Sequence, residues 1–349
     1  MMLTVLGVAY PLAPVSRDAV GGAEQVLAQL DAALVRRGHR SIVVACGGSR
    51  VEGVLVATPR RDGILDDAAR TAAHAAHREA IAAALARWPV DLVHLHGIDF
   101  HAYLPPPGVP ALVTLHLPLA WYPPEALHPQ RPDTWLHAVS AAQRQGAPGD
   151  LVLLPDIPNG VAIDELAARH ARRGFALALG RICPEKGFHI ALAAAKTAGV
   201  GLLLGGQVYR YEAHERYFRD EIAPRLDRWR RFLGPLDFAR KRRLLTAARC
   251  LLVPSLVAET GSLVAMEALA CGTPVIAFPN GALTEVIEHG VTGFLVRDGQ
   301  EMAEAIGAAG RIDPEACRRA ARERFSAERT VARYLAVYED LVRRRSHAA

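Results

Sequence analysis

The stretch Leu3–Cys46, LTVLGVAYPLAPVSRDAVGGAEQVLAQLDAALVRRGHRSIVVAC, decides the fold. Leu3 to Ala9 is a short apolar run of strand length. Ala23 to Arg36 then sets Val26, Leu27, Leu30, Ala33 and Leu34 at helical spacing, and Ser41 to Cys46 is a second apolar run. Gly38 falls where a helix C-cap belongs, behind Arg36 and Arg37, whose charges suit the negative end of the helix dipole. The reading is β-α-β, the opening of a parallel sheet covered by helices on both faces.

Further strands are expected at Asp91 to His94, Ala111 to Leu115 and Trp135 to Val139. Between Leu151 and Phe175 the pattern fades, with Pro155, Pro158, Asn159 and Gly160 marking turns before a polar stretch that ends at Gly174. The alternation restarts with strand Phe175 to Leu179, a helix from Phe188, strand Val200 to Leu204, a helix near Ala213, a strand near Phe232 and a helix near Ala239. Strand Leu251 to Val253, helix Ser262 to Ala270 and strand Pro274 to Ala277 follow. These serial units predict an α/β protein of two Rossmann-like, doubly wound domains facing each other across a cleft, the default ligand site. The expected boundaries are a first Rossmann-like domain 1–157, a linker 158–174, a second Rossmann-like domain 175–326, and a last helix 327–349 packing back on the first domain.

Length and composition agree with two cores. The chain has 349 residues, 51% of them hydrophobic and 22% charged, which argues against disorder. A formal charge of +5 and a pI near 9.1 suit anionic small molecules, acidic lipid and nucleic acid about equally. The five cysteines are scattered, with no spacing for a zinc site or a disulfide framework, so a reducing compartment is expected. MMLTVLGVAY is too short and uncharged for a signal peptide, and no run nears the ~18 apolar residues of a membrane span. The expected location is cytoplasmic. Peripheral membrane contact through Arg36, Arg37 and Arg40, or Arg343 to Arg345, stays open beside their reading as solvated residues.

The strongest chemical signal is Pro254 to Pro274, PSLVAETGSLVAMEALACGTP: strand end, loop, short helix, Gly-bounded stop. Glu259 precedes the helix and Glu267 lies two turns inside it, so the two should touch different ligand groups. Gly261 and Ser262 at the helix start can offer backbone N–H groups to a diphosphate. The second signal is GRICPEKG, Gly180 to Gly187, where Arg181 can grip phosphate oxygens as a fork and Lys186 as a point charge. Read alone it is also an ordinary solvated loop. The third is VGGAEQ, Val20 to Gln25, where Gly21 and Gly22 let backbone approach a ligand. The full dinucleotide fingerprint is missing there, which leaves nicotinamide with little support. His116 ends the strand Ala111 to Leu115 on the ligand-binding edge, in competition with His94, His96, His101 and His137.

Taken together these residues resemble the retaining glycosyltransferases of family 4, which have the GT-B fold. The likeness covers nearly the whole chain. It rests on GRICPEKG, on the two glutamates eight apart and on ALACGTPVIAFPNGALTEVIEHGVTGFLV (Ala268 to Val296), and in the first half on the Gly-Gly loop, TLH ending at His116, and IPNGV (Ile157 to Val161). The resemblance implies that Arg181 and Lys186 hold the donor diphosphate, Glu267 the ribose hydroxyls and Glu259 the transferred sugar. Backbone of Gly261, Ser262, Leu263 and Val264 would complete the phosphate cradle. Gly22 would close over the phosphates and the acceptor, and His116 would touch donor sugar or acceptor. It also implies a nucleoside-diphosphate sugar as co-substrate, UDP favoured over GDP, a hydroxyl acceptor, no further cofactor and no obligatory metal. Members often carry Gly-Phe-Gly after the first glutamate. Here Thr260, Gly261 and Ser262 stand in its place, which touches sugar specificity more than fold.

Three other readings accompany this one. A nucleotide-sugar epimerase or sugar phosphorylase would share the fold. A non-catalytic nucleotide-sugar-binding protein would keep the cradle. A nucleic-acid binder is suggested by Arg228, Arg230, Arg231, Arg240, Lys241, Arg242 and Arg243 with Trp229, Phe232 and Phe238 between them, but no recognised nucleic-acid motif accompanies the cluster.

Overall fold

The computed structural model describes residues 2–61, 63–168 and 170–348. The chain divides into two compact units, Met1–Pro158 with Arg329–Ala349, and Asn159–Glu328.

In the first unit β1 (Thr4–Val8), β2 (Arg40–Cys46), β3 (Val54–Thr58), β4 (Leu92–Leu95), β5 (Ala111–Leu115) and β6 (Thr134–Ala138) form one sheet in the order β3-β2-β1-β4-β5-β6. In the second, β7 (Phe175–Arg181), β8 (Gly201–Gln207), β9 (Arg230–Phe232), β10 (Cys250–Val253), β11 (Val275–Ala277) and β12 (Gly293–Leu295) form another in the order β12-β11-β10-β7-β8-β9. Every pairing is parallel. Both sheets therefore run 3-2-1-4-5-6 in their own numbering. The winding direction reverses between β1 and β4, and between β7 and β10. Chains leaving those neighbouring strands diverge to opposite faces of the sheet, which opens a crevice at their carboxyl ends.

Burial explains the strand composition. All of β1, β4, β5 and β10 is buried, as central parallel strands covered on both faces require. Helix Gly22–Arg36 buries Val26, Leu27, Leu30, Ala33 and Leu34, the stripe set by its sequence period. Several elements escaped the sequence reading: β3, β12 and the helices Asp67–Arg87, Gly299–Ala308 and Pro314–Arg324. Helix Asp67–Arg87 is largely alanine and has little apolar contrast between its faces, yet Asp66 caps it by accepting from Ala69 N. Asp298 and Asp313 cap the other two helices in the same way.

The stretch expected as a linker is 158–174. From Asn159 onward it is counted in the second unit, with Leu166 only 1% exposed. Val161 N donates to Phe325 O at 2.8 Å and its carbonyl accepts from Ala327 N at 3.0 Å. The Pro and Gly residues mark real turns, but the apolar residues between them are buried.

The last helix, Ala327–Ala348, contributes Tyr334 and Tyr338 to the core of the first unit. His94 on β4 sits 2.7 Å from Tyr338 Oη through Nδ1 and 2.7 Å from Thr114 Oγ1 through Nε2. Thr114 also meets His137 Nε2 at 2.7 Å and Tyr334 Oη at 3.3 Å. Buried polar groups need such partners, and here they join three strands to the terminal helix. No helix among the described residues is long and apolar enough to cross a membrane.

Candidate active site

At the reversal point of the second sheet, β7 ends in Arg181 and runs into the single 3₁₀ turn Pro184–Lys186. Gly187 closes that turn at φ 62°, where a side chain would run into the carbonyl of Pro254 beyond β10. Only glycine allows this approach. Leu256 N donates to Glu185 O at 2.8 Å, tying the two strand ends together.

This packing brings Lys186 to Glu259. Lys186 Nζ donates to Glu259 Oε1 at 2.5 Å, with the two side chains 23% and 10% exposed. Glu259 is braced from behind by the segment after β11. Its amide donates to Asn280 O at 3.3 Å, its carbonyl accepts from Ala282 N at 2.7 Å, and Asn280 Nδ2 donates to Ser255 O at 2.7 Å. Gly281, at φ 61°, lies so close to the Glu259 backbone that no side chain would fit. Burial works against the Glu259 carboxylate, but the charge and hydrogen bond of Lys186, the Ser255 hydroxyl and the charge of Arg181 outweigh it and hold the carboxyl below its usual range. The group is an anion compressed among cations.

Gly261 and Ser262 lead into helix Leu263–Ala270, whose N-cap Ser262 makes no side-chain capping bond. The backbone N–H groups that open this helix, through Leu263 and Val264, keep their affinity for an anion. Glu267, 4% exposed, lies inside the helix and takes a different cation: Lys241 Nζ donates to its Oε1 at 2.5 Å. Its Oε2 is buried and has no hydrogen-bond partner among the described residues.

Lys241 was not anticipated at this site. In sequence it belongs to the basic cluster that suggested nucleic acid. In the structure two more members of that cluster are engaged within their own unit: Arg230 pairs with Asp227, and Arg242 donates to Glu165 O. Ser255 and Asn280 were missed too, since nothing local in the sequence marks them as braces of Glu259.

The first unit holds the other expected residues. Gly21 is the N-cap of helix Gly22–Arg36, and the Glu24 carboxylate folds back over it. His116, half-buried beyond β5, has Nε2 2.9 Å from Nδ1 of His96, and the two rings are stacked. Burial, with His137 adding to it, pushes His116 down to about 3, so this ring is neutral. His96 lies just past β4, at the reversal point itself, and its Nε2 is buried with no hydrogen-bond partner among the described residues. Of the competing histidines, His94 and His137 belong to the core network. The structure thus gathers Arg181, Lys186, Glu259 and the helix start in the second unit, sets Glu267 with Lys241, and keeps Gly21, Gly22 and His116 in the first unit.

The two halves match two family models: residues 20–148 match Glycosyltransferase Family 4, and residues 174–309 match Glycosyl transferases group 1. The D-inositol 3-phosphate glycosyltransferase of Acidothermus cellulolyticus is 40% identical over 125 residues, 34% of this chain and 28% of that protein. The phosphatidyl-myo-inositol mannosyltransferase of Mycobacterium leprae is 32% identical over 162 residues, 43% of this chain and 42% of that protein. The matched stretches thus span well under two thirds of these curated relatives. Among solved structures, Anabaena HepE in complex with UDP and glucose superposes with a TM-score of 0.73 at 19% identity, covering 97% of this chain and 99% of that one. With both family regions present in order on two six-stranded parallel sheets, the chain belongs to glycosyltransferase family 4 and has the GT-B fold.

Proposed function

We propose that this protein is a glycosyltransferase that moves a sugar from a nucleoside-diphosphate sugar, UDP in preference to GDP, to a hydroxyl acceptor with retention of anomeric configuration. The observation that carries this reading is the convergence of Lys186, Arg181, Glu259 and an uncapped helix start at the carboxyl ends of β7 and β10. Such a constellation stabilises charge that develops on a leaving diphosphate.

In this account the acceptor oxygen bonds to the anomeric carbon on the face from which the diphosphate departs. The electron pair of the broken C–O bond stays with the diphosphate, and the acceptor proton passes to a phosphate oxygen. Arg181 and Lys186 neutralise that charge, with the N–H groups at Gly261 to Val264, so the chemistry requires no metal. Glu259 faces the transferred sugar, and Glu267, oriented by Lys241, offers its second oxygen to the ribose hydroxyls. In the first unit the Gly21–Gly22 helix start and the neutral His116 ring bind substrate hydroxyls. Preference for UDP is supported by family frequency and by the UDP held in the similar Anabaena protein.

Incubation with UDP-sugars and a panel of polyol, inositol phosphate and glycan acceptors, followed by NMR, tests this. Release of UDP with an α-linked product from an α-linked donor is expected. Epimerised donor without transfer, or a product of inverted configuration, would overturn it.

A further inference from the structure

The loop that carries Lys186 bears a second cluster, which the donor reading does not use. Cys183 and Glu185 on this loop and His214 on helix Glu212–Tyr217 each bring a ligating atom to within 4.8 Å of the others. Cys183 is 1% exposed. Glu185 Oε2 and His214 Nδ1 are both buried, and neither has a hydrogen-bond partner among the described residues. Each such orphan destabilises the fold unless something fills the gap. The His214 ring is held edge-on by Tyr209 and Tyr211, with centroids at 6.5 and 5.1 Å.

One thiol, one carboxylate and one imidazole form a donor set for a borderline-soft divalent ion. Calcium and magnesium prefer oxygen ligands alone. We propose that Cys183, Glu185 and His214 form a three-ligand site for Zn²⁺ that ties the Lys186 loop to helix Glu212–Tyr217. On binding, a bond from Cys183 Sγ to the ion replaces the S–H bond and the proton leaves to solvent. His214 Nδ1 gives a lone pair and Glu185 a carboxylate oxygen. Nothing is oxidised or reduced. A fourth position stays open to water or to a phosphate oxygen. The scattered cysteines hid this site because its third ligand comes from the far side of β8.

The test uses the full chain stripped of metal with chelator, titrated with ZnCl₂ in two buffers of different ionisation enthalpy, and with Co²⁺ followed by absorbance. The expected result is a single ion per chain, release of a proton, and a thiolate-to-cobalt charge-transfer band. Cys183→Ala and His214→Ala should each weaken binding by about 100-fold or more, while Cys250→Ala should not. If Cys183→Ala loses its circular dichroism, Glu185→Gln replaces it. Absence of saturable binding, the two orphaned atoms then being bridged by water, or binding indifferent to both substitutions, would overturn the site. No nucleotide is present, so this outcome is independent of the transferase reading.

Discussion

Lys186 and Glu259 come from loops that follow different strands, β7 and β10, and meet at 2.5 Å with both side chains largely shielded from water. Glu259 thus pairs with the cation that the proposed mechanism assigns to the departing diphosphate.

Lys186→Ala should act on both counts. Loss of leaving-group stabilisation is expected to lower kcat by about 100- to 1,000-fold with little change in acceptor KM. The same substitution removes the cation in contact with the buried Glu259 carboxylate, leaving it only Ser255 and the more distant charge of Arg181, which should cost about 3 kcal/mol in denaturant unfolding. Unchanged turnover in a folded variant would contradict the assignment of Lys186 to the leaving group.

The second pair, Lys241 and Glu267, separates folding from binding. Lys241→Met alone strands a buried carboxylate and should destabilise by about 3 kcal/mol. Adding Glu267→Gln removes the stranded charge and should restore most of that stability. It should not restore nucleotide affinity, because the charged carboxylate that accepts from the ribose hydroxyls is replaced by a neutral amide. Recovery of both properties in the double variant, followed by urea melts and nucleotide titration, would show that the pair is structural only.

Acid should loosen the first unit. Burial drives His94 and His96 well below their usual range, and His137 down to about 4. In the unfolded chain each would take up a proton near pH 6.5. The unfolded state then binds more protons below that pH, so this stability is complete above about 6.5 and is lost as pH falls towards 4. The slope is about 1.4 kcal/mol per pH unit for each such ring. Denaturant midpoints measured from pH 8 to 4.5 should show the fall, and His94→Gln should make it shallower. A flat wild-type curve would contradict the neutral core network.

The sequence exposed what local chemistry writes down. Helix Gly22–Arg36 was legible because its apolar stripe repeats along one face, and β1 and β2 because they are short and continuously apolar. Helix Asp67–Arg87 was not, since alanine fills both its faces. The candidate residues Arg181, Lys186 and Glu259 stand out in sequence because they sit in loops that follow short apolar strands. Their partners depend on the sheet order: Lys241 reaches Glu267 from another helix, and Asn280 braces Glu259 from the segment after β11. His94 looked like a rival for a catalytic role until the terminal helix supplied Tyr338 as its partner.

The proposed nucleoside-diphosphate site in the second unit is open to calorimetric titration of UDP, GDP and ADP into the wild type and Glu267→Ala without acceptor. Saturable binding at one site is expected, tightest for UDP and weakened by about tenfold or more in the variant through the loss of a charged hydrogen bond. No binding of any nucleotide, or equal binding by the variant, would contradict it.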